Sequence, residues 1–313
     1  MGRAPAHPGS SSCSLAGRRC LHFDNVHGRC LELLVIARRP CAVGFQIAII
    51  GGPVGKGMID PFVKRLKTFL ESRQAGPWDP SYLNGTKALL EELERALAQI
   101  GRPAMVLDVG CGSTDHYERK GRYGPRIRHL IGIDVIADLG TNESLDYVTR
   151  ASVYNLPFRS FQFDVAFSDF VIEHLEHPER ALEEIARVLT PGGYFVFRTP
   201  NLYHYVPVVA LLLQKAGCLP HMRFSTDGER HGVFPVFYGA NTCRQLKVLA
   251  KASGFAVEEI MFAEGGPHYL EFFLPFYLIG VMHQYLVNKV SLLHGYKGNI
   301  IGLFRKVQSA RAR

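Results

Sequence analysis

The sequence predicts an α/β fold, a parallel sheet covered by helices on both faces. Three observations predict it. From residue 101 onward, short apolar runs of strand length alternate with segments of helical periodicity. The first run, Val106 to Val109, breaks into Gly110-Cys111-Gly112, a strand turning sharply into a loop whose glycines let the backbone approach a ligand. The composition, 47% hydrophobic over 313 residues, is enough to build a full core.

Along the chain, residues 1–57 are rich in Arg and Ser, poor in acids and broken by Pro and Gly, without a sustained period. They read as a low-order extension, a transit peptide by composition or a translated leader ahead of a start at Met58. The run Ile49–Gly57 imitates a phosphate-binding loop, but the Walker spacing demands Gly at position 50, which is Ile. Two N-terminal helices are expected over 58–100. Phe62, Leu66 and Phe69-Leu70 mark the first; Tyr82 to Ile100 forms the second, with Leu89, Leu90, Leu93 and Leu97 on one face. Gly101-Arg102-Pro103 closes this pair and opens the main domain, 101–306, with 307–313 as a basic tail.

Strands are predicted at 105–109, 129–134, 148–151, 163–168, 193–199, 255–262 and 299–305, and helices near 116–123, 177–189 and 240–253. Two stretches, 202–240 and 263–298, exceed what a minimal fold needs. Both follow carboxyl ends of strands, where ligands bind in open α/β sheets, so they are expected to shape an acceptor pocket. Within the second, Tyr269 to Met282 is apolar but interrupted by Glu271. At ~1.5 Å per residue it reaches about 21 Å, short of a ~30 Å hydrocarbon core. Burial in the domain is the default expectation, with an interfacial position or an acceptor-site lining as alternatives.

The formal charge is +8, but it sits at the ends. Residues 1–40 carry +4 and 286–313 carry +6, leaving about −2 between them. No basic stripe interleaved with aromatics appears, so a nucleic-acid partner is not expected. Basic ends fit a solvated tail or an anionic membrane surface, and a peripheral membrane contact through 269–285 and the basic termini stays open. Seven cysteines, with no Cys-x-x-Cys pair, suit neither a zinc module nor a disulfide framework. A reducing, cytoplasmic location is expected, with organellar targeting by residues 1–40 as the alternative; the oligomeric state is left open.

The site chemistry follows from the first two strands. The second apolar run, Leu130 to Ile133, ends on Asp134. An acid about 20 residues past a glycine loop, at the end of the next strand, is placed to accept ribose hydroxyls. A dinucleotide site would need a third small residue after Gly110 and Gly112, and Asp115 stands there; a carboxylate repels a pyrophosphate. Asp108, ahead of the loop, points instead to a cationic amino-acid moiety. S-adenosylmethionine has that moiety, a ribose and no phosphate. Cys111, inside the loop, reads as a small packing residue.

With these residues in place, the chain resembles the class I S-adenosylmethionine-dependent methyltransferases, in particular the type 11 group. The resemblance covers roughly residues 80 to 265. It rests on Val106–Ser113, Ile131–Val135, Asn155-Leu-Pro-Phe158, Phe163–Ser168, Glu173-His-Leu-Glu-His-Pro178, Leu189–Tyr194 and Arg198-Thr-Pro-Asn201. It implies a Rossmann-like, seven-stranded sheet with a reversed last strand, for which Asn299–Arg305 is the candidate. It also implies S-adenosyl-L-methionine as cofactor, with Asp108, Gly110, Cys111, Gly112, Asp134, Val135, Ser152, Val153 and Ser168 around it. Family members often place an acid where Ser152 stands, and a third glycine where Thr114 stands.

For an oxygen acceptor, His174 is the candidate base, since its ordinary pKa near 6.5 leaves mostly neutral imidazole at pH 7. Asp169 is the second catalytic candidate; His177, His204 and His231 are further ones. Glu173-His174 is similar to the metal-binding quinone-pathway O-methyltransferases, but the acid those carry three residues earlier is Phe170 here, so no metal is expected. The resulting reading is methyl transfer to a small-molecule acceptor, an oxygen of a lipid- or sugar-linked compound. A nicotinamide-dependent dehydrogenase and a non-catalytic cofactor-binding protein that docks on a membrane or partner are the competing readings.

Overall fold

A computed structural model of the protein describes residues 60–73, 83–112, 124–136, 145–215 and 235–307. All of these fall in one compact unit, Gln46–Arg313. Helix α1 (Pro61–Ser72) starts at Asp60, whose Oδ1 accepts the Phe62 N–H at 2.8 Å. Helix α2 (Gly85–Ile100) starts after Asn84, whose side chain accepts the Lys87 N–H, and stops at Gly101 in the left-handed region at φ 69°. These caps satisfy backbone groups that helix ends leave open, and explain why α2 begins three residues later than its apolar pattern suggests.

Seven strands follow: β1 (Ala104–Val109), β2 (Ile127–Asp134), β3 (Tyr147–Arg150), β4 (Phe163–Asp169), β5 (Leu189–Pro200), β6 (Phe255–Ala263) and β7 (Asn299–Lys306). Their spatial order is β3-β2-β1-β4-β5-β7-β6. β1 to β5 pair in parallel, and β7 runs antiparallel to both β5 and β6. This is the expected Rossmann-like sheet with its reversed last strand. The predicted helix near 116–123 lies outside the described residues.

Alternation along each strand feeds two apolar layers. On one face Val106, Val196 and Leu303 meet Leu89, Leu93 and Leu97 of α2. On the other, Leu107, Val109, Phe195 and Phe197 meet α3 (Pro178–Val188) through Leu182 and Ile185, and α5 (Cys243–Ala252) through Leu246 and Ala250. Each fully buried Leu or Ile contributes about 1.5–3 kcal/mol, so α2 alone anchors one whole face.

The remaining helices sit in the two long stretches: α4 (Tyr205–Lys215) after β5 and α6 (Leu274–Lys289) after β6. The default expectation that Tyr269–Met282 is buried does not hold. In α6 the inward stripe is Tyr277, Gly280, Gln284 and Val287, while Ile279 and Met282 are 64% and 63% exposed. Gly280 explains the inversion: a Cβ there would stand 2.5 Å from Pro267, so the helix seats its small residue inward and turns larger apolar ones out. Glu271, which interrupts the apolar run, is buried between Lys67 at 2.8 Å and His268 Nδ1 at 2.9 Å. Among the described residues no helix is long and apolar enough to cross a membrane.

Candidate active site

Strand order decides where a ligand can sit. β1 lies between β2 and β4, so successive connections leave it in opposite directions and a crevice opens beyond the carboxyl ends. The glycine loop fills this point. Gly110 and Gly112 have φ of 76° and 63°, a region that side chains disfavour. The N–H groups of Gly110 and Cys111 both donate to Ile133 O, at 2.8 and 3.0 Å, tying the loop to the end of β2. A Cβ on Gly110 would come 2.3 Å from Val171 Cγ2.

Asp134 ends β2 facing that loop. Its Oδ2 accepts the Gly112 N–H at 2.9 Å, and Oδ1 accepts the N–H of Val135 at 2.6 Å and of Ile136 at 3.1 Å. Three of a carboxylate's roughly four acceptor positions are thus in use. The group is held rigidly, and taking both hydroxyls of a ribose requires one of these amide contacts to be shared.

Asp108 is buried at the end of β1, and Cys111 packs so close to Gly132 that a Cβ there would stand 2.8 Å from its Sγ. Ser168 pairs in register with Val109 and is buried; its hydroxyl has no hydrogen-bond partner among the described residues. Ser152, accepting the Tyr154 N–H at 3.3 Å, and buried Val153 form the turn after β3. Val135 is exposed beside Asp134. The nine expected cofactor residues therefore all lie at the carboxyl ends of β1 to β4. Two acids, an orphaned buried hydroxyl and an open glycine loop suit a cationic, hydroxyl-bearing nucleoside. Ser113, Thr114 and Asp115 lie outside the described residues.

One strand further, the candidate catalytic residues separate into different roles. Asp169 was expected to take part in catalysis, but both its oxygens are engaged by Arg198: Nε to Oδ1 at 2.6 Å and Nη2 to Oδ2 at 2.7 Å. Arg198 also donates to Thr86 Oγ1 at 2.9 Å and lies over the Phe170 ring at 4.2 Å. A carboxylate neutralised in this fork is a poor base and a good anchor.

His174 closes a short 3-10 turn, Ile172–His174, directly after β4. Its Nδ1 lies 2.9 Å from Pro235 O, and a carbonyl only accepts, so Nδ1 carries the proton and Nε2 is the accepting nitrogen. Burial lowers its pKa, which favours the neutral base.

Glu173 is a buried carboxyl beside His174 that sequence reasoning passed over. It is buried, Thr199 Oγ1 donates to its Oε2 at 3.2 Å, and desolvation pushes its pKa up to about 8, so it holds its proton at pH 7. Asn241 Nδ2 donates to Thr199 Oγ1 at 2.8 Å and to Pro200 O at 2.9 Å. The N–H of Phe237 donates to Glu173 O at 2.8 Å. Of three non-glycine residues with positive φ among those described, Phe170 and Tyr238 sit on the two segments that meet at Glu173, where backbone strain is held by the surroundings. The signal in the sequence was the pair of blocks Glu173-His174 and Arg198-Thr-Pro-Asn201, whose contact is non-local.

The other histidines do not join this group. His177 is on the surface, 3.5 Å from Glu179 Oε1; His204 is buried beside Glu264; His231 lies outside the described residues.

Residues 107–197 match the family described as methyltransferase domain, and the chain carries a class I, type 11 S-adenosylmethionine-dependent methyltransferase domain there, with S-adenosylmethionine as its cofactor. An uncharacterized protein of Methanocaldococcus jannaschii is 28% identical over 143 residues, 45% of this chain and 54% of that one. A malonyl–acyl-carrier-protein O-methyltransferase of Pseudescherichia vulneris is 28% identical over 124 residues, 38% of this chain and 49% of that one. The chain thus spans about half the length of these curated relatives. A solved S-adenosylmethionine-dependent methyltransferase of Thermotoga maritima aligns at 17% identity and a TM-score of 0.43, covering 78% of this chain and 96% of that one. The fold assignment rests on the strand order, not on that likeness.

Proposed function

We propose that this class I methyltransferase domain moves a methyl group from S-adenosylmethionine to an oxygen of a small-molecule acceptor joined to a lipid or a sugar. The observation that carries the methyl-transfer reading is the glycine loop locked against Asp134 at the switch point of the sheet, with His174 one strand away on the same edge. The cofactor supplies a methyl group already activated on a sulfonium.

The protein's part is positioning and proton handling. Asp134 would hold the ribose hydroxyls and fix the nucleoside along the edge; Asp108 and the Ser168 hydroxyl would hold its amino-acid end. His174 Nε2 would accept the proton that the acceptor's hydroxyl releases on methylation. Protonated Glu173 adds no negative charge beside that histidine, and the segment 235–241 packs over it to keep water out.

The lipid-linked class is supported by α6, whose outward face is apolar and ends at Lys289, within a C-terminal region that carries six Lys or Arg and no acid. An exposed apolar face beside positive charge suits an anionic bilayer surface. The Pseudescherichia vulneris relative is named for O-methylation of a carrier-linked acyl group, which favours oxygen as the acceptor atom.

The test is turnover of the full chain with methyl-labelled S-adenosylmethionine and cell extract split into lipid, water-soluble, protein and nucleic-acid fractions. Label in the lipid fraction, or on a sugar-linked compound of the water-soluble fraction, supports the reading. Label confined to protein or nucleic acid, or no transfer at all, contradicts it.

A further inference from the structure

On the far side of the same sheet edge, three segments distant in sequence bring together His204, Glu264 and His283. His204 begins the turn into α4, Glu264 follows β6, and His283 lies on α6. One ligand atom from each falls within 4.8 Å of the other two. His204 and Glu264 are 7% and 5% exposed, and His283 is half-buried.

The local geometry brings these donor atoms toward one another. Glu264 Oε2 accepts the Gly298 N–H at 2.9 Å, which anchors the carboxylate and turns Oε1 toward His204 Nε2, 3.7 Å away. That separation is too long for a hydrogen bond, and His204 Nε2 has no partner among the described residues. The two imidazole rings stand 5.2 Å apart at 71°, and Tyr205 packs edge-on against His283 at 4.9 Å. A buried polar atom left unmade costs about 1–3 kcal/mol, so this arrangement calls for an occupant.

We propose that His204, Glu264 and His283 form a site for one divalent transition-metal ion of the zinc class, with a coordination position left open. Two imidazoles and a carboxylate are a donor set used by open zinc sites and by other first-row metals, whereas magnesium and calcium prefer oxygen alone. Donors ~2.1 Å from one ion lie roughly 3.4 Å apart, so closing the site needs side-chain shifts of about 1 Å.

The protonation states agree. Burial, aided by His283, holds His204 down to about 3, and burial lowers His283 as well, so both imidazoles are neutral, the ligating form. The His204–Glu264 contact is therefore not an ion pair. Burial pushes Glu264 up to about 7, and a cation would displace its remaining proton. The Val206 N–H lies 3.4 Å from His204 Nδ1, a contact at the edge of hydrogen bonding. A metal on Nε2 places the ring proton on Nδ1 and turns that contact off.

The three ligands escape a sequence search because no spacing links them. The expectation of no metal rested on the cysteine spacing and on the residues beside Glu173. The site sits at β5 and β6, two to four strands from β1, and its ligands are none of the cofactor residues.

The test uses the full chain, stripped with chelator and titrated with ZnCl2, then with MgCl2, by calorimetry and thermal melting. The expected result is zinc saturating at one ion per chain, with a raised melting temperature and no response to magnesium. His283→Ala, at a half-buried position, and the near-isosteric Glu264→Gln should each weaken zinc by ~100-fold or more, since even outer-shell partners are worth ~10–100-fold. Circular dichroism confirms that each variant is folded. No zinc binding by the wild-type chain, or equal binding by folded His283→Ala, overturns the proposal; the second outcome would assign the zinc to cysteines or histidines elsewhere.

Discussion

Asp169 and Arg198 meet in a two-pronged ion pair, 2.6 and 2.7 Å long, at the end of β4 and on β5. Arg198 is nearly fully buried, and Asp169 neutralises its charge there. Asp169→Ala is expected to cost about 3 kcal/mol in chemical denaturation, the usual penalty for leaving a buried charge unpaired. Lost turnover with unchanged stability would instead restore Asp169 as a catalytic base.

Glu173 sets a pH dependence with a defined sign. Its folded pKa, about 8, lies above the unfolded value near 4.5, so the native state holds a proton that the unfolded chain has already released. Its contribution is complete below pH 4.5 and is lost as pH rises toward 8. Glu264, pushed up to about 7, acts in the same direction. Glu173→Gln removes the titration, so in melting experiments the variant should gain on the wild type from pH 5 to pH 8. A difference that stays flat across that range contradicts the buried, protonated Glu173.

His174→Ala should lower turnover by ~100-fold or more, within the range for a general base, while S-adenosylhomocysteine binds as before. Because burial lowers the His174 pKa, the acid limb of the wild-type kcat/KM profile should fall below pH 6.5 and vanish in the variant. An unchanged rate removes His174 as the base.

The outward face of α6 is testable on membranes. Anionic phosphatidylglycerol vesicles should retain the full chain in flotation, and Ile279→Asp with Met282→Asp should abolish retention. Both positions are more than three-fifths exposed, so the changes should leave stability within ~0.5 kcal/mol. Retention that survives the double substitution, or is absent from the wild type, contradicts membrane contact through α6.

What the sequence disclosed, and what it hid, divides along contact range. Gly110, Gly112 and Asp134 were legible because a strand breaking into glycines and an acid ending the next strand are local patterns, and the sheet brings strand ends together without further information. The strands were legible for the same reason. Arg198 was hidden because its partner lies 29 residues away. Glu173 was hidden because its raised pKa comes from burial, which only the folded chain supplies. The exposed face of α6 was hidden because hydropathy alone cannot tell which side of an apolar helix packs, and the deciding residue, Gly280, matters only against Pro267. His204, Glu264 and His283 come from three elements that only the folded chain joins.

The central claim is that the crevice beyond β1 takes a sulfonium nucleoside through Asp134, and calorimetry on the full chain tests it most directly. S-adenosylhomocysteine should bind at one molecule per chain, with NADH giving no heat at the same concentration. Asp134→Ala should weaken that binding by ~10–100-fold, the worth of hydrogen bonds to a charged group. Tighter binding of NADH, or S-adenosylhomocysteine affinity indifferent to Asp134, would contradict the account.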